Sequence, residues 1–169
     1  KNRISIPLEE KLDQFIFDNA GSIFYRNGPK VKVASTKSIA ETIETTTGRH
    51  LSFDTESFQK STVLIHENAS IIGMLGNDTI AILDQKGALE IWQGTSKLSQ
   101  MNLKTPKADT QIVSLISSSG GKFFALEILK ADGRKTYELY NREGNLIDLK
   151  KMDDASSMAF SLDETKFAW

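Results

Sequence analysis

The sequence predicts an all-β chain assembled from a repeated antiparallel hairpin, and three observations carry the prediction. Apolar residues alternate at period two through most of the chain, the pattern of strands that bury a face. Connectors rich in Asn, Asp and Gly separate these runs, and such residues tolerate the backbone of tight turns. One phrase, strand–turn–strand, recurs four times: Phe15 to Tyr25 around Asp18-Asn19-Ala20-Gly21, Gly73 to Ile82 around Gly76-Asn77-Asp78, Val113 to Leu126 around Ser119-Gly120-Gly121, and Met158 to Trp169 around Asp163-Glu164-Thr165. A recurring unit of this kind buries a core only by stacking on its neighbours.

Along the chain, Ile4-Ser5-Ile6 is a short alternating run stopped by Pro7, and Glu9-Glu10-Lys11 reads as a polar turn. Phe15, Phe17, Ile23 and Tyr25 then alternate, Asn27-Gly28-Pro29 turns the chain, and Val31 and Val33 continue as a further strand. Residues 35–49 break this rhythm. Ile39 and Ile43 lie four apart, so a short helix capped by Ser or Thr fits, and so does a polar loop, because Thr is a poor helix former. Leu51 and Phe53 alternate, and Val63-Leu64-Ile65 resumes β character. From Ala69 the strands are dense: Ile71 to Leu75, Ile80 to Leu83, Leu89 to Trp92, and a weaker outer strand around Leu98 and Met101 to Leu103, ended by Pro106. Ile112 to Ile116, Phe123 to Leu129, Tyr137 to Tyr140 and Leu146 to Leu149 repeat the plan.

The elements group as four strands per unit: residues 12–68 with the insertion 35–49, then 69–108, then 109–154, with 155–169 opening the next. Equating Leu75, Leu115 and Phe160 gives steps of 40 and 45 residues, and Phe17 to Leu75 is 58. A period of roughly 40–45 residues with four strands per unit is the signature of a propeller-like array. The same hairpins also suit a β-sandwich.

The chain resembles the β-propeller repeats of the broad WD40-like kind. Phe160-Ser161-Leu162-Asp163-Glu164-Thr165-Lys166-Phe167-Ala168-Trp169 is similar to the blade opening in which Ser-Pro-Asp-Gly joins two apolar strands, with Leu162 in place of the Pro and Glu164 in place of the Gly. Leu89-Glu90-Ile91-Trp92 resembles the third strand of such blades, although Gln93 follows where Asp is usual and no Gly-His pair precedes it. The resemblance spans residues 69–169 and, more loosely, 12–34. It implies a β-propeller-like array of four-stranded antiparallel blades, incomplete in this chain: three units and the start of a fourth. The native protein is therefore expected to be longer, or another chain to complete the ring. A four-membered ring in which Ile4 to Ile6 pairs within the last unit is the alternative. An open arc would expose a strand edge to which a partner can add a strand.

Charge and composition narrow the function. The net charge of −1, from 21 basic and 22 acidic residues, offers no basic stripe, so no nucleic-acid partner is predicted. No apolar run approaches the roughly 18–20 residues of a membrane span. With no cysteine there is neither a disulfide nor a thiolate site. His50 and His66 have no second His or Cys at ligand spacing, so no metal site is predicted. Gly120-Gly121-Lys122 lacks the earlier Gly and the following helix of a phosphate loop. The acidic pairs Asp18-Asn19, Asn77-Asp78, Asp132-Gly133 and Asp153-Asp154 read as turn formers rather than calcium ligands. Asn68-Ala69-Ser70 and Asn77-Asp78-Thr79 fit the glycosylation pattern, a match expected by chance among eight Asn residues. Trp92 and Trp169 are assigned to packing.

No catalytic, cofactor-binding or metal-ligating residue is predicted. The expected function is that of a non-catalytic scaffold presenting loops, above all residues 35–49, and edge strands to protein partners, one of which could complete the ring. The propeller of a serine hydrolase of the prolyl oligopeptidase kind, which residues 160–169 also resemble, and an extracytoplasmic ligand-binding domain are the alternatives.

Overall fold

The computed structural model describes residues 12–35, 40–45, 48–53, 60–103, 109–147 and 157–168, and for 40–53 the backbone alone. The chain is all-β and its sheets are antiparallel throughout. Sheet one holds β1 (Gln14–Phe17), β2 (Ser22–Asn27), β3 (Lys30–Ser35) and β6 (Val63–His66), in the order β1-β2-β3-β6. Sheet two is a meander of β7 (Ala69–Met74), β8 (Ile80–Asp84), β9 (Ala88–Gln93) and β10 (Ser96–Asn102). Sheet three repeats it with β11 (Thr110–Ser117), β12 (Phe123–Lys130), β13 (Lys135–Asn141) and β14 (Leu146–Ile147). A terminal hairpin pairs β15 (Ala159–Phe160) with β16 (Phe167–Ala168).

Between β3 and β6 the chain makes a separate hairpin, β4 (Ala40–Thr45) and β5 (Gly48–Phe53), paired in unbroken register from Ala40↔Phe53 to Thr45↔Gly48. This corrects the expectation of a helix or polar loop over residues 35–49. Thr42, Ile43 and Thr45 are β-branched, which restricts their side chains in a helix and suits them to a pleated surface. The pairing of Ile43 with His50 across the hairpin outweighs the helical spacing of Ile39 and Ile43, of which Ile39 lies outside the described residues.

Strand alternation explains how the sheets stack. In β8, Ile80 and Ile82 face sheet one and pack with Phe24, Val31 and Val33, while Ala81 and Leu83 face sheet three and pack with Phe124, Leu126 and Ile128. These four apolar residues of β8 are fully buried, so sheet two is covered on both faces. Sheet three repeats the arrangement: Ala125 and Leu139 turn the other way and pack with Met158, Phe160 and Phe167 of the terminal hairpin. The first strands of neighbouring sheets meet, β1 on β7 and β7 on β11. At the second of these contacts a Cβ on Gly73 would lie 2.7 Å from Leu115 Cδ2 and 3.0 Å from Leu115 Cβ, so a larger residue there would require the Leu115 side chain to shift.

The repeat has a backbone register. The amide of the residue just after each first strand closes the turn: Asp18 N–H donates to Ser22 O and Leu75 to Thr79, four residues on, and Ser118 donates to Phe123 and Ser161 to Lys166, five residues on. Leu75, Ser118 and Ser161 are therefore equivalent, 43 residues apart at each step. This shifts the sequence-based alignment of Leu75 with Leu115 and Phe160. Both strands carry a bulge at equivalent positions, between Ala69 and Ile71 in β7 and between Ile112 and Ser114 in β11, so the bulges do not offset them; apolar alternation alone cannot fix a register.

Candidate protein-interaction surface

Four turns, one between the first two strands of each unit, form a connected row. Each is closed by its own polar groups. Asp18 Oδ1 accepts from Ser22 N–H at 2.6 Å, Thr79 Oγ1 donates to Leu75 O, Ser118 Oγ accepts from Phe123 N–H at 3.1 Å, and Ser161 Oγ accepts from Lys166 N–H at 3.0 Å. These bonds hold the turns in Asx- and Ser-type geometry without help from a ligand. Asp132 does the same at an outer turn, where Arg134 N–H and its guanidinium hold the Asp132 carboxyl below the usual carboxylate range.

Neighbouring turns also bond to each other. Asn19 N–H donates to Asn77 O at 3.4 Å, and Gly76 N–H reaches Ser117 Oγ at 3.5 Å. The third contact is the strongest. Glu164 Oε1 accepts from Ser118 Oγ at 2.5 Å, from Gly120 N–H at 2.8 Å and from Lys122 N–H at 3.2 Å, and Lys122 Nζ lies 3.7 Å from Oε2. Ser119 Oγ adds a bond to Leu162 O at 2.8 Å. The Ser118 hydroxyl, seconded by the Lys122 and Gly120 amides and the lysine charge, holds the Glu164 carboxyl below the usual range. Glu164 sits at φ 55°, the one described non-glycine residue with positive φ.

A second polar cluster ties sheet one to sheet two. Glu90, on β9, accepts from Trp92 Nε1 at 2.9 Å on Oε2 and from Lys97 Nζ at 3.0 Å on Oε1, and His66 Nε2 on β6 lies 3.9 Å from Oε2, the oxygen Trp92 also reaches. His66 Nδ1 accepts from Asn68 N–H at 3.1 Å, which leaves the proton of the neutral ring on Nε2, toward the carboxylate. The motif recurs on β13, where Tyr140 O–H donates to Glu138 at 2.6 Å; burial and this bond push the Tyr140 phenol well above its ordinary range. In both strands a glutamate receives the aromatic donor two residues on, from the same face.

His66 belongs to the Glu90 cluster, and His50 lies on β5, whose side chains are outside the described residues. Trp92 is half-buried against the core between sheets one and two, while Trp169 and Asp153-Asp154 lie outside the described residues. Lys122 is followed by β12, not a helix. Asn68 and Asn77 are exposed in turns, but Thr79 of the second glycosylation pattern is buried. Among the described residues no three His, Asp or Glu side chains group as a metal site, and no helix is long and apolar enough to cross a membrane. Two shallow hollows, of about 370 and 390 Å³, lie beside Tyr140 and Asn145 and beside Gln111 and Lys130. The sequence did not single out Glu164, which it showed only as a departure from Gly, nor the exposed Phe15 and Phe17. A non-glycine residue at the glycine position of a turn was the available signal for the first. No protein-family model matches the chain, and no curated protein sequence matches it.

Proposed function

We propose that this chain is a β-propeller-like segment that works as a non-catalytic scaffold, displaying its turn row, its β4–β5 hairpin and its strand edges to partner proteins. One observation carries the reading: three successive four-stranded units, the second and third covered on both faces, stack with their first strands in contact. Propeller blades stack in this manner, and the rigid frame they make is suited to holding loops in fixed relation. The β4–β5 hairpin interrupts one unit between its third and fourth strands without breaking the pairing of β3 with β6, as an appended recognition element would. Each of the four turns is closed by a hydrogen bond of its own polar side chain, although Asp18 Oδ2 is buried without a partner.

Cross-linking mass spectrometry in extract of the native source tests this. Partner cross-links should concentrate on the turn row and on residues 36–59, and replacing 36–59 with a Gly-Ser linker should remove a subset of them. Cross-links spread evenly over the surface, or unchanged by the replacement, would sink the scaffold reading.

A further inference from the structure

We propose that the chain associates head to tail: a second copy seats the open face of its β15–β16 hairpin on the face of sheet one that carries Phe15 and Phe17. The inference rests on the stacked-array reading and names the partner that its leading face takes.

One face of sheet one packs on sheet two. Ile16, Phe24, Val31 and Val33 pack on sheet two, whereas β1 turns Phe15 and Phe17 the other way. Their rings meet edge to face at 5.8 Å and are 60% and 55% exposed, and Leu64, brought to the same face by the pairing of Tyr25 with Phe15 and Lys32 and of Lys32 with Leu64, is 43% exposed. Aromatic side chains in this state are the residues that anchor interfaces. Ile23 and Tyr25 on the adjacent strand are already buried, so the open part of the face is the strip along β1.

The terminal hairpin supplies the counterpart. Phe160 and Phe167 pack on sheet three, and alternation turns the cross-strand pair Ala159 and Ala168 outward, both exposed, with Leu162 91% exposed beside them. A flat alanine floor accepts two rings that a floor of large side chains would reject. First strands already meet first strands at β1 on β7 and β7 on β11, so β15 on β1 continues an interface the chain makes within itself. The two surfaces differ, so the contact is heterologous; copies joined this way close a ring or run on as a filament.

The chain has no cysteine, which makes a direct test clean. Phe17→Cys and Ala159→Cys are prepared separately, mixed and oxidised, and the wild-type mass is followed by sedimentation over a wide concentration range. The inference expects a mass that rises with concentration, loss of that rise in Phe15→Gln/Phe17→Gln and in Leu162→Asp, restored dimers when those two variants are mixed, and a disulfide that joins position 17 to position 159. A wild type that stays monomeric overturns it, as does a dominant 17–17 disulfide, which would mean phenylalanine faces packed on each other. Leu162 is free of packing, so Leu162→Asp reports even where the phenylalanine variant misfolds. Failure of the stacked array itself would appear instead as loss of the sheet signature and amide protection in the wild-type monomer.

Discussion

Sheet two is clasped on both faces, with Ile80 and Ile82 turned to sheet one and Ala81 and Leu83 to sheet three. The terminal hairpin has two short strands, one apolar face and a glutamate that ties its turn to the turn before it. The first is held by area removed from water, which is non-directional and tolerates small shifts. The second is held at its turn by a few directed bonds to one carboxylate, which fix position but involve little buried surface. The contrast teaches that stacking supplies the stability of the array, while polar latches set the register of units that have little else to hold them.

Removing apolar volume where two sheets meet should have the largest effect on stability. Phe124 is fully buried between sheets two and three, its ring stacked on Tyr140 at 5.2 Å and 9°. Phe124→Ala should cost about 3–5 kcal/mol, from lost transfer energy and the cavity left behind. Urea unfolding followed by circular dichroism measures it. A loss under about 1 kcal/mol would mean that the core between these sheets is not the seat of stability.

Next in size is the close passage of two turns. Gly121 has φ 73°, and a Cβ there would lie 2.9 Å from Gly76 N and 3.0 Å from the Leu75 carbonyl. Gly133 has φ 84° with nothing near a Cβ. Gly133→Ala should therefore cost the left-handed backbone term alone, about 1–2 kcal/mol. Gly121→Ala adds contact with backbone that cannot step aside, and should destabilise more. Equal urea midpoints for the two variants would show that the turn row gives way freely, against the rigid frame proposed.

How much of this was legible in the sequence differs from element to element. Ile80-Ala81-Ile82-Leu83 is an unbroken apolar run of strand length, which is what burial on both faces demands, so β8 and its neighbours could be read directly. The equivalence of Leu75 with Ser118 could not, because alternation repeats every second residue, an apolar and a polar residue occupy the same position, and the turn after Ser118 is one residue longer than the turn after Leu75. The β4–β5 hairpin was hidden by a spacing that a helix shares with a Thr-rich strand. Phe15 and Phe17 read as ordinary strand residues; periodicity says that a face is apolar, not whether a neighbour covers it. Glu164 was hidden for another reason: its partners are 42 to 46 residues away, in a turn whose hydroxyl and amides converge only once the sheets have stacked.

The smallest expected effect on global stability, and the one most specific to the hairpin, is at Glu164. Its carboxyl titrates below its ordinary value of 4.5 because the Ser118 hydroxyl, the Lys122 and Gly120 amides and the Lys122 charge all favour the ionised form. A carboxyl depressed in the folded state lends stability that is fully present above the ordinary value and is lost as pH falls through the folded one. Docking of β15–β16 should accordingly be insensitive to pH at neutrality and loosen in acid below 4.5, while β8 stays protected. Glu164→Gln keeps the shape and one oxygen for the three donors that Oε1 already serves, but it loses the charge and sets an NH2 group where Oε2 faced Lys122 Nζ, so it should give the acid phenotype already at neutral pH. Hydrogen exchange reads both: faster exchange at Ser161 and Phe167, whose amides lie in the hairpin, and none at Ile82. Were Ile82 to loosen in step with the hairpin, latch and core would be one cooperative unit, and the distinction between the two regions would fall.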